Sequence, residues 1–244
     1  MKIKDYLYKT VTSKWPNGNI WFYSDPHFGD EDMPLIRKNN ISDEEQVARI
    51  NSKVGKNDVI IFLGDIGNID FIKKVRGYKV LIKGNHDRGA SYYLKKEIGR
   101  IFDSRSIPAS HEKYVNEIRK TCRTNPFLLV MFGEWLDAHY TRPKYENDGL
   151  FDEVYTGPLT ISHNIILSHE PLGRDFPYAL NIHGHDHSNS YKADNCINLC
   201  AELINYTPVS LKTIIESGAL KNIEDIHRVA IDRRLDLNKQ EGEE

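Results

Sequence analysis

The chain has 244 residues, 39% of them hydrophobic and 28% charged, a balance ordinary for a globular domain that excludes a disordered chain. A formal net charge of -2 excludes the global basic field of a dedicated nucleic-acid binder, although a local basic strip would be hidden in that total. The three cysteines, Cys122, Cys196 and Cys200, follow no disulfide or zinc spacing, and no apolar run reaches membrane-spanning length. The expectation is therefore a cytoplasmic protein with free thiols and no membrane association.

Taken in chain order, the opening MKIKDYLYKTVTSKWPNG lacks the apolar centre of a signal peptide. IWFYS (20–24) reads as a strand and is followed by Asp25, Pro26 and His27. Ser42 with Glu45 forms a capping box, Val47, Ile50 and Val54 an apolar stripe, and Gly55 a stop, so a helix is predicted there. DVIIFLG (58–64) is a second strand and leads into Asp65; NIDFIKKVRG reads as a helix ending at its glycine. YKVLIKG (78–84) is a third strand, followed by Asn85, His86 and Asp87, and SYYLKKEIG reads as another helix. From about 103 to 150 the rhythm breaks. A helix in SHEKYVNEIRKTCRT precedes the aromatic, loop-rich FLLVMFGEWLDAHYTRPKYENDG. This insert is expected to act as a substrate-facing lid, the alternative being that FLLVMF adds a strand to a sheet.

Beyond the insert, NIILS (164–168) is a strand that ends on His169. YALNI runs into NIHGHDHSN, which places His183, His185 and His187 on alternate positions. CINLC (196–200) reads as a strand whose two cysteines pack in the core. The final NIEDIHRVAIDRRLDLNKQEGEE has an apolar face on Ile223, Ile226, Ala230 and Leu237 and predicts a helix over about 222–238. The alternation of strand, turn and helix predicts an α/β fold, arranged as a single domain over 1–244.

Every strand so far except CINLC delivers polar residues at its carboxyl end. In open α/β sheets sites form outside those ends, so five of them can converge on one crevice. The groups delivered are imidazoles, carboxylates and an amide, a nitrogen and oxygen set suited to Mn, Fe, Zn, Co or Ni. Seven candidate ligands are too many for one ion and suit two, provided a carboxylate bridges. Two ions about 3.5–4 Å apart are a known device for activating water and clamping a phosphoryl group.

In their order and context the motifs DPH, GDIGN, GNHD, SHEP and GHDH resemble those of the calcineurin-like metallophosphoesterase superfamily, over Asp25 to His187. FDEVY (151–155) and NLCAELINYTPVSL (198–211) are similar to its small phage and bacterial members. The resemblance implies a four-layer sandwich of two mixed β-sheets flanked by α-helices. It also implies hydrolysis of a phosphodiester or phosphomonoester by a hydroxide bridging two divalent ions, manganese first among them. By the same resemblance Asp25, His27 and His187 hold one ion, Asp65 bridges, and Asn85, His169 and His185 complete the second site. His86 is the implied general acid and Asp87 the carboxylate that orients it. Asn85 and Arg88 are the expected substrate contacts, and the partner is a phosphate ester, with nucleotides and nucleic acid among the candidate classes. A fold retained as a binding scaffold without catalysis is the alternative, but it would be expected to show decayed ligands.

Where some members carry acidic and basic residues after the second motif, this chain reads Ile66-Gly67-Asn68, which argues against a protein phosphatase of that kind. His183 is left open between substrate contact and structural hydrogen bonding. His111, His139, His163 and His227 read as surface or satisfied histidines, and Arg142, Lys144 and Arg174 as solvated charges unless the insert folds over the site.

Overall fold

The computed structural model describes residues 7–37, 39–87, 149–172, 177–221 and 223. The insert expected at about 103–150 and the helix expected over about 222–238 fall outside these, apart from Gly149, Leu150 and Ile223. Arg88, Arg142, Lys144 and Arg174 also fall outside. The chain divides into two compact units, residues 1–84 with 150–244, and residues 85–149; every element named below lies in the first.

Two mixed sheets and flanking helices make up this unit. The first sheet has the order β4-β3-β2-β1-β9, formed by Glu153–Tyr155, Tyr78–Ile82, Val59–Phe62, Ile20–Tyr23 and Val209–Ser210. The pairings β1–β2, β2–β3 and β3–β4 are parallel, while β9 pairs antiparallel with β1. The second sheet runs β5-β6-β7-β8, over Leu159–Ser162, Ile165–Leu167, Leu180–His183 and Cys196–Asn198. Here only β5 is antiparallel to its neighbour. Among the described residues the α-helices are α1 (Lys9–Thr12), α2 (Met33–Ile36), α3 (Asp43–Lys53) and α4 (Leu211–Glu216). None of the helices among the described residues is long and apolar enough to cross a membrane.

Strand alternation builds the shared core. Phe22, Val59, Ile61, Val80 and Ile82 of the first sheet pack in one cluster with Ile161, Ile165, Leu167, Leu180 and Ile182 of the second. The opposite face of the first sheet carries Tyr23, Ile60, Phe62 and Leu81, all fully buried. That face is covered by α3, since Tyr23 Oη donates to Gln46 Oε1 at 2.9 Å. This is why VIIF in β2 is apolar throughout rather than alternating.

Ser42 caps α3 as expected, with Glu45 N donating to Ser42 Oγ, while the Glu45 carboxylate accepts from Arg49. The helix expected over NIDFIKKVRG is instead one 3-10 turn, Ile72–Lys74. Local polar groups compete for its backbone: Asn68 Oδ1 accepts from Asp70 N at 3.0 Å, and Asn51 Nδ2 donates to Lys74 O at 2.8 Å. The departure at Ile66-Gly67-Asn68 has a packing role. Ile66 is buried, and Gly67 has φ 77 where a Cβ would lie 2.4 Å from Phe28 O.

Candidate metal centre

The site is built where strand ends meet. The loops leaving β1 and β2 run side by side, with Asp25 N donating to Gly64 O, His27 N to Asp65 O and Phe28 N to Ile66 O, at 2.9–3.1 Å. These bonds fix Asp25, His27 and Asp65 relative to one another. The two sheets are joined at the same edge. Ser24 forms a parallel bridge to Cys200, Ser24 N donates to Leu199 O, and Ala201 N donates to Ser24 O. In the second sheet, Gly184 N donates to His169 O, which couples the end of β6 to the end of β7.

Two ligand clusters result. Asp25, His27 and His187 form one, and Asp65, His169 and His185 the other; within each, one ligand atom per residue lies within 4.8 Å of the others. In the first, Asp25 Oδ1 is 3.9 Å from His27 Nε2 and 3.7 Å from His187 Nε2. In the second, His169 Nε2 is 3.3 Å from Asp65 Oδ2 and 3.1 Å from His185 Nδ1. Asp65 Oδ2 also lies 3.7 Å from His27 Nε2, so this carboxylate stands between the clusters. Ligands about 2.0–2.2 Å from one ion are at most about 4.4 Å apart, and these separations fit that limit. Six of the seven residues expected to hold metal are thus brought together. Asn85, the seventh, is half-buried and follows directly on Gly84; next to it His86 is exposed and Asp87 buried. These three belong to the unit of residues 85–149.

The orientation of Asp25 is the sharpest sign that the first cluster suits a cation. Its Oδ2 accepts from Ser24 Oγ at 2.5 Å, His185 N at 2.9 Å and Cys200 Sγ at 3.3 Å. Its Oδ1 is buried with no hydrogen-bond partner among the described residues. A buried carboxylate oxygen left bare beside two imidazole nitrogens is costly unless a positive charge meets it.

Backbone strain marks the same residues. Asp25, His27, Asp65 and His185 have φ of 53, 48, 53 and 69, a left-handed conformation that costs a non-glycine residue about 1–3 kcal/mol. A packed core offsets such costs, since each fully buried Leu, Ile or Phe contributes about 1.5–3 kcal/mol. Glycine is needed where backbone and carboxylate approach. A Cβ on Gly184 would lie 1.8 Å from Ser24 Oγ and 2.1 Å from Asp25 Oδ2, and one on Gly64 would lie 2.5 Å from His169 Nδ1.

Electrostatics separate the imidazoles. Burial, followed by nearby His169, holds His185 below its ordinary pKa, and burial does the same to His27 against the pull of Asp25 and Asp65. Burial also pulls His169 down, but the hydrogen bond to Asp65 and the charges of Asp25 and Asp65 outweigh it and push the group up to about 9. His187 is raised because the hydrogen bond to Glu202 overcomes burial.

Several site residues escaped the sequence reading. Glu202, at the end of the β8 extension, accepts from His187 Nδ1 at 2.6 Å. The strand read as delivering nothing polar therefore delivers a carboxylate. Arg37, buried after α2, pairs with Glu202 Oε2 at 3.1 Å. Cys200 was read as core packing; it is fully buried, yet its thiol donates to Asp25. A third grouping, His187 with Cys200 and Glu202, is geometrically close. Burial and the charges of Asp25 and Glu202 hold the thiol above its usual pKa, and His187 and Glu202 are already paired with each other at 2.6 Å. His183, left open above, is buried and its Nδ1 faces Gly184 O at 2.8 Å, with the Tyr191 ring edge-on at 6.4 Å. The left-handed turn at His185 breaks the strand alternation that would have aligned the two histidines.

The calcineurin-like phosphoesterase family model matches residues 18–202, and the chain belongs to that family. Among curated proteins, none matches it. One similar solved structure is that of a protein of unknown function, AQ665, from Aquifex aeolicus, 19% identical, covering 81% of this chain and 98% of that one with a TM-score of 0.46.

Proposed function

We propose that the protein is a dinuclear metal-dependent phosphoesterase that hydrolyses a phosphodiester or phosphomonoester. The observation that carries this reading is the pair of ligand clusters, with Asp65 Oδ2 of one 3.7 Å from His27 Nε2 of the other and the bare Asp25 Oδ1 beside the imidazoles of the first. Asp25, His27 and His187 would hold one divalent ion; His169 and His185, with Asn85, would hold the second, and Asp65 would touch both. Manganese is the first candidate on the family resemblance; the nitrogen and oxygen donor set equally suits iron, zinc, nickel and cobalt. When bound, such a pair supplies Lewis acidity and a water of lowered pKa.

The chain's own residues supply the rest. Neutral imidazoles at His27 and His185, favoured by burial, present lone pairs rather than protons. His86 is proposed to protonate the leaving oxygen, Asp87 to fix the His86 tautomer, and Asn85 and Arg88 to contact the phosphoryl oxygens. The substrate is a phosphate ester, with nucleotides and nucleic acid among the classes to be screened, and the site of action is the cytoplasm. The reading is tested by assaying metal-free protein, restored with each of the five metals in turn, against an aryl monoester, a linear diester and a cyclic nucleotide. Turnover that requires added metal is expected. Full metal uptake without turnover of any ester would favour a binding scaffold instead.

A further inference from the structure

We propose that Glu202 and Arg37 are positioning residues for one half of the centre: Arg37 holds Glu202, Glu202 holds the Nδ1 proton of His187, and the Asp25–His27–His187 cluster depends on that chain while the Asp65–His169–His185 cluster does not. This rests on the metal reading of both clusters.

The geometry is continuous from the buried guanidinium to the ligand. Arg37 donates to Pro26 O at 3.3 Å and to Asp25 O, and its guanidinium lies 5.7 Å from the Tyr206 ring centre. It thereby grips the backbone of one ligand residue, Asp25, while its Nε faces Glu202 Oε2 at 3.1 Å. That last contact is charge pairing rather than an aligned hydrogen bond, since neither atom has a hydrogen-bond partner among the described residues. Glu202 Oε1 is committed to His187 Nδ1 at 2.6 Å. With Nδ1 carrying the proton, the lone pair sits on Nε2, the atom that faces Asp25 Oδ1. A carboxylate behind a metal-binding imidazole fixes its tautomer and raises its basicity, and its loss typically costs about 10–100-fold in metal affinity.

The other cluster is oriented differently. His169 Nδ1 faces the backbone carbonyl of Leu63 at 2.8 Å, a main-chain group just past β2 that also accepts from Ser24 Oγ at 3.1 Å and to which neither Glu202 nor Arg37 is bonded. Removing Glu202 therefore acts on one cluster only. A structural ion pair would loosen the fold without distinguishing the two.

Calorimetric titration of the metal-free full chain with Mn²⁺ tests this. Wild type is expected to show two binding events. In Glu202→Gln, one event should weaken about 10–100-fold while the other keeps its affinity; Arg37→Lys should weaken the same event by less. In a His187→Ala background, adding Glu202→Gln should cause no further loss, because the residue it acts through is gone. The inference is overturned if Glu202→Gln leaves both affinities unchanged, weakens both equally, adds its loss in full to His187→Ala, or unfolds the chain. A wild type that takes up no Mn²⁺ overturns the metal reading and this inference together. Two wild-type events with an unaltered Glu202→Gln overturn the inference alone.

Discussion

The two ligand clusters look alike in composition, one carboxylate and two imidazoles each, yet they are held in different ways. His169 is oriented by the Leu63 carbonyl, a main-chain atom of the residue that follows β2. His187 is oriented by the Glu202 side chain, which in turn leans on Arg37. His27 also uses a side chain, with Nδ1 at 3.3 Å from Asp30 Oδ2. The first arrangement rests on main chain. The second can be altered by one substitution distant from the ligand atoms. The same fold thus offers one site fixed by backbone and one tuned by buried charge.

Asp65 Oδ2 lies 3.3 Å from His169 Nε2 and 3.7 Å from His27 Nε2, so on the proposed bridging role its removal should have the largest effect. Asp65→Ala is expected to lower occupancy at both sites, whereas His169→Ala should mainly empty one. Elemental analysis of the purified variants checks this, and full occupancy at both sites in Asp65→Ala would remove the bridge. His86 belongs to neither cluster, so His86→Ala should keep its metals and lose about 10²–10⁴-fold in rate. The loss should shrink for a nitrophenyl ester, whose leaving group needs little protonation; an equal loss for an alkyl ester and a nitrophenyl ester would exclude His86 as the acid.

Gly184→Ala probes the close approach of β7 to the Asp25 carboxylate. The added Cβ meets Ser24 Oγ at 1.8 Å, and overpacking of this kind costs about 1–3 kcal/mol. At about 2–4 °C per kcal/mol for a chain of this size, a clear drop in Tm is expected, with weaker binding at the Asp25 cluster. An unchanged melting curve would mean that the loop yields freely. Cys200→Ala should have the smallest effect. It removes one of three donors to Asp25 Oδ2, and a single hydrogen bond contributes about 0.5–1.5 kcal/mol. The expected result is a slight loss of metal affinity confined to the Asp25 cluster; a loss at the His169 cluster would contradict the assignment.

Much of this site is legible in the sequence because the ligands follow strands that announce themselves. VIIF before Gly-Asp and IIL before Ser-His are short apolar runs, and the polar residue after each falls at the sheet's carboxyl edge. Order and spacing then carry the resemblance. Glu202 and Arg37 leave no such mark. Glu202 reaches the site because the β8 extension pairs with Ser24 across the two sheets, a contact between positions far apart in the chain that no local pattern encodes. Arg37 sits in MPLIR, where nothing local distinguishes a buried guanidinium from a solvated one. The left-handed conformations of Asp25, His27, Asp65 and His185 are equally silent, because none of these residues requires a positive φ; tertiary packing imposes it. The expected helix at NIDFIKKVRG failed for the opposite reason, since its apolar spacing was overridden by the side chains of Asn68 and Asn51.

The central claim is that two ions share this site through Asp65, and crystals of the protein grown with Mn²⁺ test it most directly. Anomalous difference density should show two peaks about 3.5–4 Å apart, one against His27 and His187 and one against His169 and His185, with Asp65 reaching both. A single peak, or two peaks with Asp65 contacting only one, would contradict the account.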